Sequence, residues 1–322
     1  MNLYPLKFKP ILKERIWGGS KLGDILKKQV QGNGIGESWE LSDVEGDVSE
    51  VANGPLKGKS LQDLIALFGE GLLGKSVKER FGSKFPILIK FLDAKEDLSI
   101  QLHPNDVLAQ KRHNSFGKTE MWHILQADKG SNLIVGFNKS TTKEEYIQHL
   151  QNGSLLNILH KEPVKKGDTF FIKPGKVHAI GAGILLAEIQ QTSDITYRIF
   201  DFNRKDKNGK TRELHTELAL DAIDYEVKHD YRVDYSEEKN TCNPMVSSPY
   251  FTTNFVDVTG TFSPELSQRD SFSIYICTEG EVSLNYENGP EKLKMGETVL
   301  VPAMIKNIRF MADNAHLLEV HL

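Results

Sequence analysis

The chain has 322 residues, 39% of them hydrophobic, with 40 Lys+Arg against 44 Asp+Glu. That length suggests about two domains, and a net charge of −4 provides no basic field to hold a phosphate backbone, which excludes general nucleic-acid binding. Cys242 and Cys277 are too few for a disulfide framework or a Cys-rich zinc module, and no apolar stretch approaches the ~18 residues of a membrane span. A soluble, cytoplasmic protein is expected. All ten histidines follow residue 100, and six of them fall between 103 and 178.

Over the first hundred residues short apolar runs alternate with Gly-rich turns, at Trp17-Gly18-Gly19 and Gly32-Asn33-Gly34-Ile35-Gly36. The second has the look of a dinucleotide loop. No βαβ unit surrounds it, however, and Glu37-Ser38-Trp39-Glu40-Leu41 reads as a strand after a turn. Ser60 is an N-cap for a helix carried by Leu61, Leu64, Ile65, Leu67 and Phe68. Strands follow at 85–92, 99–103, 120–126 and 132–137, then a helix from Thr141 or Thr142 to a Gly153 stop. Strands return at 168–172, 184–190 and 195–200. Residues 205–210 form a charged loop tip, a third helix runs from about 214 to 223, and the charged stretch 225–240 reads as an inter-domain linker. From Tyr250 onward almost all signals are strands. The sum is a mainly β protein, a sandwich or jelly-roll barrel with helical insertions.

Lys166-Gly167-Asp168-Thr169-Phe170-Phe171-Ile172-Lys173-Pro174 recurs as Lys294-Met295-Gly296-Glu297-Thr298-Val299-Leu300-Val301-Pro302: turn glycine, acid, Thr, three apolar residues, proline. The pattern resembles the second motif of the cupin family, in which a metal-binding His stands eleven residues after the Gly. In the first copy that residue is His178. In the second the count reaches Asn307, and alignment on the prolines reaches Lys306. Two cupin-like jelly-roll barrels are therefore expected, 1–230 with helical segments and a metal site, and 231–322 without metal ligands.

Strand parity selects further residues. In Leu98-Ser99-Ile100-Gln101-Leu102-His103, Ser99, Gln101 and His103 share one face. In Gly117-Lys118-Thr119-Glu120-Met121-Trp122-His123, Lys118, Glu120 and Trp122 share a face that His123 avoids. A carboxylate within so apolar a strand is costly unless paired or bound to a cation. Gln101, His103, Glu120 and His178 together offer two imidazole nitrogens and two oxygens to one divalent ion, zinc by preference, with Mn, Fe or Co also acceptable. The bland alternatives are a solvated strand face and a His after a turn.

The blocks 98–106, 117–122, 174–179 and Glu188-Ile-Gln-Gln-Thr-Ser-Asp-Ile-Thr-Tyr-Arg198, with Trp17-Gly18-Gly19 and Gly36-Glu37-Ser38-Trp39-Glu40, resemble the class I mannose-6-phosphate isomerases of the short bacterial type. The resemblance runs in order from residue 15 to about 204 and is loose over the last 90 residues. It implies that Gln101, His103, Glu120 and His178 bind zinc and that Arg198 is catalytic. It puts Lys90 and Ser99 near the phosphate of a hexose 6-phosphate, and Lys118 at the active site. The large helical domain of the longer enzymes is missing. The implied reaction interconverts mannose 6-phosphate and fructose 6-phosphate through a cis-enediol. Its base stays open among a water on the metal, Lys118 with a lowered pKa, and Glu188. On the residues alone, Lys90 also reads as a snorkelling strand lysine, and Arg198 as the partner of Asp194 or Asp201. A metal-dependent cupin dioxygenase and a non-catalytic sugar-phosphate-binding bicupin are the rival readings.

Overall fold

The computed structural model describes residues 2–32, 34–205 and 208–322; Asn33 of the Gly-rich turn and residues 206 and 207 of the charged loop tip lie outside the described residues. Three antiparallel sheets account for most of the fold. A seven-stranded sheet runs in the order Ile11–Gly19, Ile35–Leu41, Ile87–Ala94, Ile184–Gln191, Glu120–Ala127, Thr169–Ile172, Arg232–Val233. A five-stranded sheet of Tyr197–Phe200, Ile100–Leu102, His178–Ile180, Asn132–Phe137 and Leu159–Pro163 forms the other wall of the first barrel. The six-stranded sheet takes Asn243–Ser247, Thr252–Phe262, Arg309–His321, Ser273–Tyr286, Gly289–Lys294 and Thr298–Val301.

The central strands Ile87–Ala94 and Ile184–Gln191 are buried along their whole length, which is why both read as near-continuous apolar runs. Their few polar residues therefore stand out, and the register lines them up. Trp39 faces Lys90, Lys90 faces Glu188, and Glu188 faces Trp122, a row across four strands. In the five-stranded sheet Arg198 faces Gln101 and Gln101 faces His178. Neighbouring strands lie ~4.8 Å apart, so each row spans roughly 10–15 Å.

The helices Leu61–Phe68 and Lys143–Gln151 start at Ser60 and Thr142, each with a reciprocal capping box, closed by Asp63 and Glu145. The third helix differs from its expected span. Only Thr216–Ala219 is helical, because Leu214 and Leu218 stay exposed and cannot form a buried stripe, while His215 N donates to Arg198 O. The stretch 225–240 is no free linker, since Arg232–Val233 pairs with Thr169–Phe170 and carries the first sheet past residue 230.

The two copies of the repeated motif adopt the same local shape. Gly167 at φ +87° turns into Thr169–Ile172, and Gly296 at φ +84° turns into Thr298–Val301. A left-handed residue is needed at each turn, so the glycine is structural. Phe91, Met121 and Ile189 share one apolar cluster with Phe251, Phe255, Ile274 and Leu318, which packs the six-stranded sheet against the seven-stranded one. Leu6 adds two backbone hydrogen bonds to Leu300, each 2.8 Å.

Candidate metal centre and active site

His103 follows Ile100–Leu102, Glu120 opens Glu120–Ala127, and His178 opens His178–Ile180. Each is 1% exposed, and one ligand atom from each lies within 4.8 Å of the others. The backbone orients both imidazoles. His103 Nδ1 is 2.7 Å from the carbonyl of Ile195, and His178 Nδ1 is 2.8 Å from that of Lys176. A carbonyl can only accept, so both Nδ1 atoms carry the hydrogen and both Nε2 lone pairs face the cluster. Gly175 N donates to His103 O at 2.9 Å, which ties the Pro174-Gly175 turn, and hence His178, to the His103 strand.

Glu120 Oε1 accepts from Lys118 Nζ at 2.8 Å and lies 3.3 Å from His103 Nε2. Glu120 Oε2 and His178 Nε2, 3.7 Å apart, are both buried without a hydrogen-bond partner. Two facing acceptors with no donor between them are costly in a closed interior, and a cation between them satisfies both. The donor set, two neutral imidazoles and a carboxylate, fits a divalent metal.

The local charges keep that set in its ligating form. Burial, helped by Lys118, drives the His103 pKa down to about 3 against the pull of Glu120. Burial also lowers His178. For Glu120, burial alone would raise the pKa, but the Lys118 charge holds it well below the usual carboxylate range. Lys118 is raised: burial opposes its charge, yet Glu120 and Glu188 outweigh burial. Burial and the neighbouring Glu120 charge raise Glu188, despite Lys90 and Lys118.

His178, Gln101 and Lys118 open onto a cavity of about 540 Å³, with His103 and Glu120 behind them. Gln101 stands beside His178 in register, its Oε1 3.3 Å from Ser99 Oγ. Lys90 is buried in an ion pair with Glu188 at 3.2 Å and lies 4.9 Å from the Trp39 ring centre, so it does not snorkel. Arg198 Nε donates to Ser99 Oγ at 3.2 Å and Nη1 to Glu213 O at 3.0 Å. It does not take Asp201, whose carboxylate accepts from Arg204 and Arg212. His123 points away from the cluster, with Nδ1 2.9 Å from Thr169 Oγ1.

Several lining residues escaped the sequence reading, among them Arg15, Glu37, Trp39 and Arg212. Arg15 grips Glu37 through Nε and Nη2, both at 3.0 Å, and Trp39 Nε1 donates to the same carboxylate at 2.7 Å. Strand parity could have found Glu37 and Trp39, which share a face of Ile35–Leu41. Gly36 has a packing role: a Cβ there would come within 2.6 Å of the Trp17 ring, so the Gly-rich turn lets that strand approach the cavity wall.

Residues 5–125 match the family model for the catalytic domain of type I phosphomannose isomerase, and residues 241–321 match that for the mannose-6-phosphate isomerase cupin domain. The chain is 37% identical over 309 residues to mannose-6-phosphate isomerase ManA of Bacillus subtilis, covering 94% of each. It is 34% identical over 310 residues to the mannose-6-phosphate isomerase of Streptococcus mutans, covering 96% of each. The crystal structure of the mannose 6-phosphate isomerase from Bacillus subtilis matches with a TM-score of 0.91 at 32% identity, over 99% of this chain and 100% of that one. Two cupin-like barrels, a buried His–Glu–His cluster at a cation-lined cavity, and relatives matched over nearly the full length together establish that the chain belongs to the type I mannose-6-phosphate isomerase family.

Proposed function

We propose that the chain is a metal-dependent aldose–ketose isomerase interconverting D-mannose 6-phosphate and D-fructose 6-phosphate. One observation carries the reading: Glu120 Oε2 and His178 Nε2 face each other without a donor beside a cavity lined by cationic side chains. We assign zinc to His103, Glu120 and His178, with Gln101 as the fourth donor, a mixed nitrogen and oxygen set that suits this ion. Bound there, a divalent cation stabilises negative charge developing on the C1 and C2 oxygens of the sugar.

The reaction takes a proton from C2 of the aldose and returns one to C1, through a cis-enediol, while carbonyl and hydroxyl exchange places. No electron leaves the sugar. Arg198, a permanent cation oriented by Ser99 and Glu213, stabilises the enediolate. Lys118 and Glu188 both line the cavity and are the chain's own candidates for carrying the proton, a role typically worth ~10²–10⁴ in rate. Lys90, Ser99 and Lys118 bind the substrate. Both cysteines are unpaired, in keeping with the reducing cytoplasm.

A coupled assay for fructose 6-phosphate formation, run before and after chelation and with zinc added back, tests this reading. Turnover that disappears with the metal and returns with zinc is expected. No turnover by zinc-loaded protein refutes it, as do stoichiometric iron and substrate-dependent oxygen uptake, which mark a cupin dioxygenase. In the same assay Glu188→Gln and Lys118→Ala identify the proton carrier, as the variant that loses turnover while keeping its metal.

A further inference from the structure

The second copy of the repeated motif takes no part in the catalytic cavity, and its turn borders a different one. Lys294, Met295, Glu297 and Thr298 line a cleft of about 730 Å³ between the two barrels, opposite the segment 25–29. Gly296 seats the turn on that segment, since a Cβ there would come within 2.8 Å of the Leu26 Cβ. The cleft lies back to back with the catalytic cavity. Along the first two strands of the seven-stranded sheet, Lys13 and Trp39 line the cavity while their neighbours Leu12 and Glu40 line the cleft.

Its walls are of two kinds. Phe8, Leu12, Ile25, Leu26 and Met295 supply apolar surface, and five lysines surround it. Two of these are fully engaged. Lys28 pairs with Glu40 at 2.7 Å, both side chains buried, and Lys7 pairs with Glu297 at 3.0 Å. The other three are exposed and loosely held. Lys9 and Lys294 have surface pairs with Glu50 and Glu281, which contribute little and part at little cost, and Lys27 Nζ donates only to the neutral carbonyl of Asp24 at 2.6 Å. Thr298 completes the lining and differs from its counterpart in the first copy. Thr169 Oγ1 lies 2.9 Å from His123 Nδ1, whereas Thr298 Oγ1 is buried with no hydrogen-bond partner among the described residues.

We infer that this cleft is a second ligand site, separate from the catalytic cavity, for a small organic anion with an apolar body. The apolar walls take the body, the ammoniums of Lys9, Lys27 and Lys294 take the charge, and the Thr298 hydroxyl meets a polar atom that the protein itself does not supply. The volume suits a small molecule, and such sites favour the junctions between domains. Lys27 holds a left-handed backbone at φ +56°, so a charged side chain stands where glycine would fit without strain. The inference goes beyond the isomerase reading and does not depend on it.

The test is a fluorescence titration of the folded, zinc-loaded protein with anilinonaphthalene sulfonate, a sulfonate on an aromatic body. Saturable binding is expected, and it should persist when mannose 6-phosphate saturates the catalytic cavity. Lys27→Glu combined with Lys294→Glu should raise the Kd of the probe by roughly tenfold or more, with kcat, KM and Tm unchanged. No saturable binding by the parent overturns the inference, as does a Kd in the double variant within twofold of the parent. Displacement of the probe by mannose 6-phosphate also overturns it, because the probe then occupies the catalytic cavity. Should the double variant melt early, trace acetylation of the parent, mapped by peptide mass, gives the decision: the probe must slow modification of Lys27 and Lys294, and equal rates with and without it refute the site. If the zinc-loaded parent does not turn over, the isomerase reading alone fails, and the titration of parent and variant still decides the cleft.

Discussion

Each barrel buries a carboxylate on a strand, and the two are treated in opposite ways. Glu319, in the second barrel, is fully buried and completely satisfied. Oε1 accepts from Arg269 and from Tyr275, at 2.7 and 2.8 Å, and Oε2 accepts from Asn254 at 2.7 Å and Cys242 Sγ at 3.5 Å. Val256, Leu284, Val299, Phe310 and Leu317 fill the interior around it. Glu120 is buried to the same degree but has one oxygen without a donor, next to an imidazole nitrogen in the same condition. A native interior rarely tolerates two such atoms unless something else completes them. One barrel therefore has its polar cluster closed by protein alone, and the other has a cluster built to be closed by a ligand.

The two barrels differ most at His178. Replacing it with Ala should lower metal affinity by more than the ~10–100-fold typical of losing a residue that merely supports a ligand, and turnover should fall with it. Metal analysis and the coupled assay give the two readouts, and far-UV circular dichroism should be unchanged. A His178→Ala protein that retains stoichiometric metal would mean that the unpartnered atoms are not ligands. Glu319→Ala is the converse experiment. It leaves the Arg269 charge without its partner, and breaking a buried pair in this way costs roughly 3–5 kcal/mol of stability. Urea unfolding should record that loss, while kcat per folded molecule stays at the parent value. A large drop in kcat with intact stability would instead give the second barrel a share in the chemistry.

How far this difference could be read in the sequence depended on how local its cause is. Period-two parity put Gln101 with His103, and separated Glu120 from His123, because a strand's side chains alternate without regard to tertiary context. The turn glycines Gly167 and Gly296 carried the repeat for the same reason, and Ser60 and Thr142 marked helix starts through bonds made within four residues. What escaped was decided between distant segments. Arg212 joins the cavity through a bridge from Lys205 to Thr211 and a seam to Arg198, neither of which leaves a periodic trace. The expected helix at 214–223 shrank to Thr216–Ala219, since Leu214 and Leu218 stay exposed while only Ala219, Leu220, Ala222 and Ile223 pack, and burial, not spacing, determines whether an amphipathic pattern becomes a helix. The raised pKa of Lys118 likewise depends on Glu188, which arrives from a strand some seventy residues away.

The seam between the barrels offers the smallest effect and the finest test of their difference. His123, on the face opposite Glu120, sits in that seam near Phe255 and His316, its Nδ1 next to Thr169 Oγ1. Burial first, then the charges of His316 and Lys166, lower its pKa to about 4 against a weaker pull from Asp168. The unfolded chain takes up a proton at this residue near pH 6.5, and the folded chain only near 4. Stability from the neutral buried ring is thus complete above pH 6.5 and declines as the pH falls toward 4. Between pH 7.5 and 5 the loss should be about 2 kcal/mol. His123→Gln, which cannot titrate, should unfold in urea with a correspondingly shallower decline over the same range. Equal acid-side slopes for parent and variant would clear His123 of this role. The contrast with the metal cluster is then chemical. The first barrel buries imidazoles on either side of the Glu120–Ala127 strand, but the ring at the seam bonds to a hydroxyl and is packed by aromatic neighbours, whereas the rings at His103 and His178 have their Nδ1 hydrogens taken by carbonyls and their free nitrogens turned toward a carboxylate.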